Sequence, residues 1–297
     1  MKKYLFLLFF LFFGFITLVF ISWRQSVFKS GDSFSWMIVE DEGGILIVAH
    51  QGNDLPGNFF YLPPELSLET ANGLGLYAVK NIYLLGEQQK INAGELLRRS
   101  IEQSLFIPVD KYIHIGKLGR ISDNPGWLVK KSLLVNLFGG KSDLSAIDKI
   151  QLLIYFFTRK SISWDYSDMS KYLKQNQSGD YVLDEKTISD KLLYAFADKN
   201  IIGQDFSLAI LDKSSCSGAS AKAVSFMQNL GAYAYDIKGA QNREKNSRIY
   251  IDKKLNKKEL MPIILRLKRL LQLEISDQDP PPGADIVLVL GDSFCHF

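Results

Sequence analysis

Phe206-Ser-Leu-Ala-Ile-Leu-Asp-Lys-Ser-Ser-Cys-Ser-Gly218 and Ala284-Asp-Ile-Val-Leu-Val-Leu-Gly291 bracket the stretch that decides the fold. The first opens as an apolar run, which predicts a strand, and breaks at a small polar turn. Behind it Ala219, Ala223, Phe226, Met227 and Leu230 fall on one helical face, with Gly231 as a C-cap. Two more strands are expected at 233–237 and 248–251, separated by the polar run 239–247. Leu260, Ile263, Ile264, Leu267, Leu270 and Leu271 then make a second apolar helical face. Pro280-Pro-Pro-Gly283 forces a turn, and the closing apolar run reads as a strand buried on both faces. The order β-α-β-β-α-β predicts a small sheet over 205–297 with both helices on one face.

Closed as a ferredoxin-like sheet, this order makes the first and last strands antiparallel neighbours. Cys216 follows the first strand and Cys295 the last, and these are the two cysteines of the chain. Their strand ends would then lie roughly 17–20 Å apart, whereas a disulfide needs Cα atoms within about 7 Å. Two unpaired thiols are the expectation.

Working outward, residues 4–23 carry no charge, and seven of the twenty are Phe. An apolar helix of that length spans the hydrocarbon core. Lys2 and Lys3 precede it, Arg24 and Lys29 follow it, and Trp23 suits the interface. A cleaved signal peptide is the alternative, but Phe20-Ile-Ser-Trp23 offers no small-x-small cleavage site. The expectation is a single-pass anchor with a cytoplasmic N-terminus and the bulk of the chain extracytoplasmic. With 47% apolar residues, 297 residues suggest about two folded domains. A net charge of +3 is too small to argue for a nucleic-acid partner, and two cysteines make no disulfide scaffold.

Between the anchor and residue 205, strands are expected at 36–40 and 45–49 around the hairpin turn Asp41-Glu-Gly-Gly44. Residues 67–75 read as a loop, 76–80 and 112–115 as strands. Helices are expected at 93–105, 126–138 and 144–157, with shorter ones near 167–174 and 186–197. The mixture predicts a three-layer α/β domain over 34–200, and 174–184 is the most linker-like stretch.

The C-terminal part resembles the C-terminal domain of the LytR family of bacterial envelope proteins. The resemblance rests on Ala209-Ile-Leu-Asp212, Ser217-Gly-Ala219, Asn229-Leu-Gly231, Ser247-Arg-Ile-Tyr250 and Ala284-Asp-Ile-Val-Leu-Val-Leu-Gly-Asp292. The family's Asn-Gly-Thr is Asp212-Lys-Ser214 in this chain. The central part resembles the LytR–CpsA–Psr (LCP) domain. Its matches are residues 45–49, Lys90-Ile-Asn-Ala93, Ile107-Pro-Val-Asp-Lys-Tyr-Ile-His114 and Ser142-Asp-Leu-Ser-Ala-Ile-Asp-Lys-Ile-Gln151. The resemblance implies transfer of a phosphorylated glycopolymer from a polyprenyl diphosphate to peptidoglycan.

That chemistry needs cations for the diphosphate, an acid for a metal, and donors for developing charge. Where the family has Pro-Arg-Asp, this chain has Leu62-Pro-Pro-Glu65, so Pro64 replaces the arginine. Proline has neither a cationic side chain nor a backbone N–H. Of the family's Asp-x-x-Arg-x-x-Arg, Asp143 remains, Ala146 replaces one arginine and Lys149 the other. The expectation is a degenerate domain without catalytic residues, cofactor or metal, binding wall glycan or a partner protein. The alternative is an active phosphotransferase built on Arg98, Arg99, Asp143 and Lys149 with Mg²⁺ or Mn²⁺.

The other candidates have plain readings. His50, His114 and His296 lack metal-ligand spacing. Asp143, Asp148, Asp165 and Asp168 suit helix and turn starts. Ser215 and Ser217 are expected to cap the following helix. From Lys238 to Arg269 there are eleven Lys or Arg against three Asp or Glu, while Glu274 to Asp292 has five acids and no base. Lys253, Lys254, Lys257 and Lys258 are therefore a candidate face for anionic wall glycopolymer, peptidoglycan or headgroups. A solvated rim balanced by the acidic tail fits the same composition.

Overall fold

The computed structural model describes Thr17 and residues 33–52, 57–115, 125–158, 164–202, 206–237, 242–255, 257–281 and 284–296. The expected anchor at 4–23 lies, Thr17 apart, outside the described residues. No helix among the described residues is long and apolar enough to cross a membrane.

The chain opens with β1 (Phe34–Glu40), β2 (Ile45–His50) and β3 (Gly57–Leu62). A short ribbon of β4 (Ser67–Glu69) and β5 (Leu76–Ala78) leads into α1 (Val79–Gln88) and α2 (Ala93–Leu105). Then come β6 (Lys111–Ile115), α3 (Pro125–Phe138), β7 (Lys141–Ser142), α4 (Ala146–Thr158) and β8 (Trp164–Asp168). A second ribbon, β9 (Lys174–Gln175) with β10 (Tyr181–Val182), and the helices α5 (Glu185–Leu192) and α6 (Lys199–Ile202) complete this half.

Six strands form one sheet in the order β7-β6-β1-β2-β3-β8. β1 and β2 are central, and their alternating side chains feed two cores. Met37, Val39, Ile45 and Ile47 pack under α1 and α2, while Trp36, Ile38, Leu46 and Val48 pack under α3 and α4. The expected three-layer α/β architecture is present. Each large side chain fully buried in this way contributes roughly 1.5–3 kcal/mol.

The β1–β2 turn needs its glycine. Gly43 has φ +86°, and a Cβ there would lie 2.2 Å from Lys80 Cβ. The missing side chain lets α1 approach the turn. Asn92 caps α2 by accepting from Glu95 N at 3.1 Å, and Phe106 ends it in the left-handed conformation.

Three expectations fail locally. The expected loop 67–75 begins with the strand β4, paired antiparallel with β5. The apolar run at 76–80 is a strand only to Ala78. Val79, Ile82, Tyr83 and Gly86 are buried at helical spacing, so α1 follows directly. The linker-like stretch 174–184 is the β9–β10 hairpin, turning through Gly179 at φ +88° and bridging from Tyr181 to Leu66.

The C-terminal half contains β11 (Leu208–Asp212), α7 (Ala219–Asn229), β12 (Ala234–Ile237), β13 (Arg248–Ile251), α8 (Lys257–Leu271), β14 (Glu274–Ile275) and β15 (Ile286–Leu290). Both helices bury their apolar faces on one side of the sheet, as the sequence predicts. The topology differs from the ferredoxin-like expectation. The order is β12-β11-β15-β13-β14, and the last strand runs parallel to the first. An additional strand, β14, follows α8 and pairs in parallel with β13. The chain then crosses back and inserts β15 between β11 and β13, antiparallel to the latter. A central position suits a strand whose five residues are all buried.

Parallel neighbours end at the same edge of a sheet, so the expected free thiols are also corrected. Cys216 and Cys295 form a disulfide with Cα atoms 5.5 Å apart.

Candidate functional site

A cleft of about 310 Å³ opens between the β1–β2 turn, α1 and the β6–β7 edge. Its chemistry comes from Glu40, Asp41, Lys80, Tyr83, His114 and Lys141. His114 projects from β6 and stacks on the Tyr83 ring, 4.4 Å between centroids. Its Nε2 lies 3.6 Å from an Asp41 carboxylate oxygen. Burial lowers the imidazole pKa, and the nearby Asp41 opposes this. Lys141 pairs with Glu87 at 2.6 Å and lies 5.9 Å from the centre of the Tyr83 ring. Glu40 is raised to about 7, first by burial and then by the charge of Glu42. It therefore exchanges a proton near neutral pH.

The turn after β3, Leu62-Pro-Pro-Glu65, adjoins this cleft. The Pro64 carbonyl accepts from Lys80 N at 3.2 Å, and the Pro63 carbonyl from Leu66 N at 3.1 Å. The neighbourhood is acidic. The Tyr61 hydroxyl is raised by burial and then by the carboxylates of Glu40, Glu65, Asp168 and Glu42.

The four alternative catalytic residues are engaged elsewhere. Arg98 donates to Glu102 at 2.8 Å, to Glu95 at 2.7 Å and to the Val109 carbonyl at 2.9 Å. Arg99 pairs with the same Glu95 at 2.6 Å and faces the Gln272 side chain. Burial works against ionisation of Glu95, but Arg98 and Arg99 outweigh it and hold the carboxyl at about 2. Asp143 accepts from Tyr112 N at 2.7 Å and lies near enough to Arg98 to feel its charge. Lys149 donates to the Asn136 carbonyl at 3.2 Å, and burial lowers its pKa. Its helix, α4, packs on the opposite face of the sheet from α2, which carries both arginines.

The remaining candidates take structural roles. Asp148 and Ser145 cap each other's backbone at the start of α4, and Asp168 accepts from Ser170 N at 3.0 Å. His50 Nδ1 meets the Tyr155 hydroxyl at 3.1 Å. Neither Ser215 nor Ser217 caps α7; Asp212 does so, accepting from Ser220 N at 3.2 Å. Among the described residues no group of three or more His, Cys, Asp or Glu is placed to hold a metal ion. Lys253 pairs with Asp279 at 3.1 Å, and Lys254 is exposed. The side chains of Lys257 and Lys258 lie outside the described residues.

The sequence reading missed a buried network between the two halves. Arg266, on α8, donates to Asp198 at 2.6 Å and to Asp110 at 3.0 Å. Arg269 also pairs with Asp110, whose carboxylate accepts from Ser35 N at 2.9 Å. Despite full burial, Arg266 and Arg269 keep the Asp110 pKa below its ordinary value. Asn229 adds a hydrogen bond to the Phe106 carbonyl at 2.7 Å. The available signal was spacing: Arg266 follows Ile263 by three and precedes Leu270 by four, placing it on the buried face of α8.

No protein-family model and no curated protein matches the chain. Solved structures do resemble it. Bacillus subtilis TagT has 16% identity and a TM-score of 0.39, covering 55% of this chain and 89% of TagT. The transcriptional regulator YvhJ of Bacillus subtilis has 11% identity and a TM-score of 0.42, covering 55% and 94%. B. subtilis TagV has 10% identity and a TM-score of 0.40, covering 55% and 95%. One of the similar structures is the LytR-CPS2A-psr family protein YwtF (TagT) with bound octaprenyl pyrophosphate lipid.

Proposed function

We propose that this chain is a membrane-anchored, extracytoplasmic envelope protein that binds wall glycan or a partner protein without catalysing transfer. In this reading residues 4–23 are the anchor, 34–200 an LCP-type domain, and 205–297 a LytR-type C-terminal domain. The ordered motifs of the sequence support the family resemblance. A disulfide between the chain's two cysteines fits an oxidising compartment outside the cytoplasm.

The fate of the cations carries the non-catalytic part. Pro64 and Glu65 sit among carboxylates, and Arg98 and Arg99 are spent on Glu95 and Glu102. A diphosphate needs those positive groups free and convergent. The test offers the full chain, in detergent, a polyprenyl-diphosphate glycan, a peptidoglycan acceptor and Mg²⁺ or Mn²⁺. Retention of glycopolymer without product is the expected result. Product formed by the wild type and lost in Lys149→Ala would establish the phosphotransferase instead.

A further inference from the structure

We propose that the outer face of the α3–α4 pair is a second membrane contact, one that lies on an anionic phospholipid surface. Both helices carry large apolar side chains on the face turned away from the sheet. Leu128, Val129 and Leu133 of α3 are buried against the sheet, yet Trp127, Leu134 and Val135 on its other side are exposed. α4 repeats the pattern. Leu152, Tyr155 and Phe156 face the core, while Ile150, Ile154 and Phe157 face outward, Ile154 at 56% exposure. A helix with this distribution is ordinarily covered on both sides. An exposed apolar patch of such extent marks an interaction surface.

Charge selects the occupant. The ammonium of Lys130 lies 5.1 Å from the Phe157 ring centre, which joins the two helices, and that of Lys131 lies 4.9 Å from the Trp127 ring centre. α3 contains no acidic residue, and the only acid of α4, Asp148, is fully buried. The outward charges of the pair are therefore positive, interleaved with aromatic and aliphatic side chains. Ammonium groups held over aromatic rings among exposed aliphatic side chains give the mixed cationic and apolar surface that suits a headgroup boundary. Anionic headgroups supply the opposite charge.

Chain length places the patch within reach. This point rests on the anchored reading above. Nine residues, 24–32, separate the end of the apolar stretch from Ser33, a span of at most about 30 Å. Phe34 enters the same core as Phe156, whose neighbour Phe157 lies on the patch.

The test uses the full chain in vesicles. Val135→Cys and Ile154→Cys each carry an environment-sensitive fluorophore, with Tyr233→Cys as an exposed control in the C-terminal half. The native cysteines are bonded to each other and do not compete for label. In mixed phosphatidylglycerol–phosphatidylcholine vesicles, the two patch probes should shift to the blue and lose quenching by iodide, while the control stays aqueous. Pure phosphatidylcholine, or Lys130→Glu with Lys131→Glu, should abolish the shift. Patch probes that remain aqueous while the chain resists carbonate extraction would overturn the docking face and leave the anchor standing. A lipid-dependent shift in a chain that carbonate removes would keep the face and reject the anchor. Shielding without lipid, with a doubled mass in scattering, would overturn the proposal in favour of a second copy.

Discussion

The cleft beside the β1–β2 turn and the seam between the two halves treat charge in opposite ways. Glu40 and Asp41 line the cleft with Lys80, His114 and Lys141, and the nearby Glu65, Asp168 and Glu42 add their charge to that of Glu40 at the Tyr61 hydroxyl. At the seam, Arg266 and Arg269 converge on Asp110, with Asp198 completing the network. There the carboxylates of Asp110 and Asp198 are buried, and each pairs with arginine. The cleft is more open and sets its acids beside Lys80, His114 and Lys141. The contrast shows cations of α8 spent on buried carboxylates that join the two halves. It also gives the regions opposite responses to pH. The Asp110 pKa is depressed in the fold, so its contribution is present above the unfolded value and lost as pH falls through the folded one. That of Glu40 is raised, so its neutral form favours folding below about 4.5 and this is lost as pH rises through about 7.

Breaking the seam should give the largest effect. Arg266→Ala leaves Asp110 and Asp198 buried and poorly compensated, a change expected to cost about 3–5 kcal/mol. Urea unfolding monitored by Trp fluorescence measures it, and a loss under about 1 kcal/mol would refute the lock.

Reducing the disulfide asks whether the seam holds without its neighbouring staple. The bond closes a loop of 79 residues and is expected to contribute about 2–4 kcal/mol. The loss on adding dithiothreitol should add to that of Arg266→Ala, because the staple contacts Ser214 and Ser215 and not the arginines. Strong coupling between the two would show that the seam depends on the sheet edge.

The cleft should respond least and with the opposite sign. Glu40→Gln removes an ionisation that is unfavourable in the fold. It should stabilise the protein by about 1 kcal/mol at pH 8, after allowing for partial solvent screening, and leave it unchanged at pH 4. Equal effects at both pH values would point to packing in place of charge.

What the sequence determined by itself is local periodicity and its immediate consequences. Helix α2 coincides with the expected 93–105, α3 and α4 fall within two residues of the expected 126–138 and 144–157, and α7 and α8 follow their apolar faces, because 3.6-residue spacing is a property of neighbours in the chain. The mixture of strand and helix patterns likewise predicted a three-layer α/β domain. Substitution at Pro64 and Ala146 was legible in the same direct sense. The direction of β15 was not, since it depends on a two-residue strand, β14, that turns the chain before the last crossing. Its unbroken apolar run already read as a strand buried on both faces, but only the assembled sheet placed it centrally, made it parallel to β11 and brought Cys216 to Cys295. The partners of Arg266 were equally out of reach. They lie 68 and 156 positions away, and no spacing rule connects them. A buried charge takes whichever opposite charge packing delivers, so tertiary structure decided that these cations would hold the halves together.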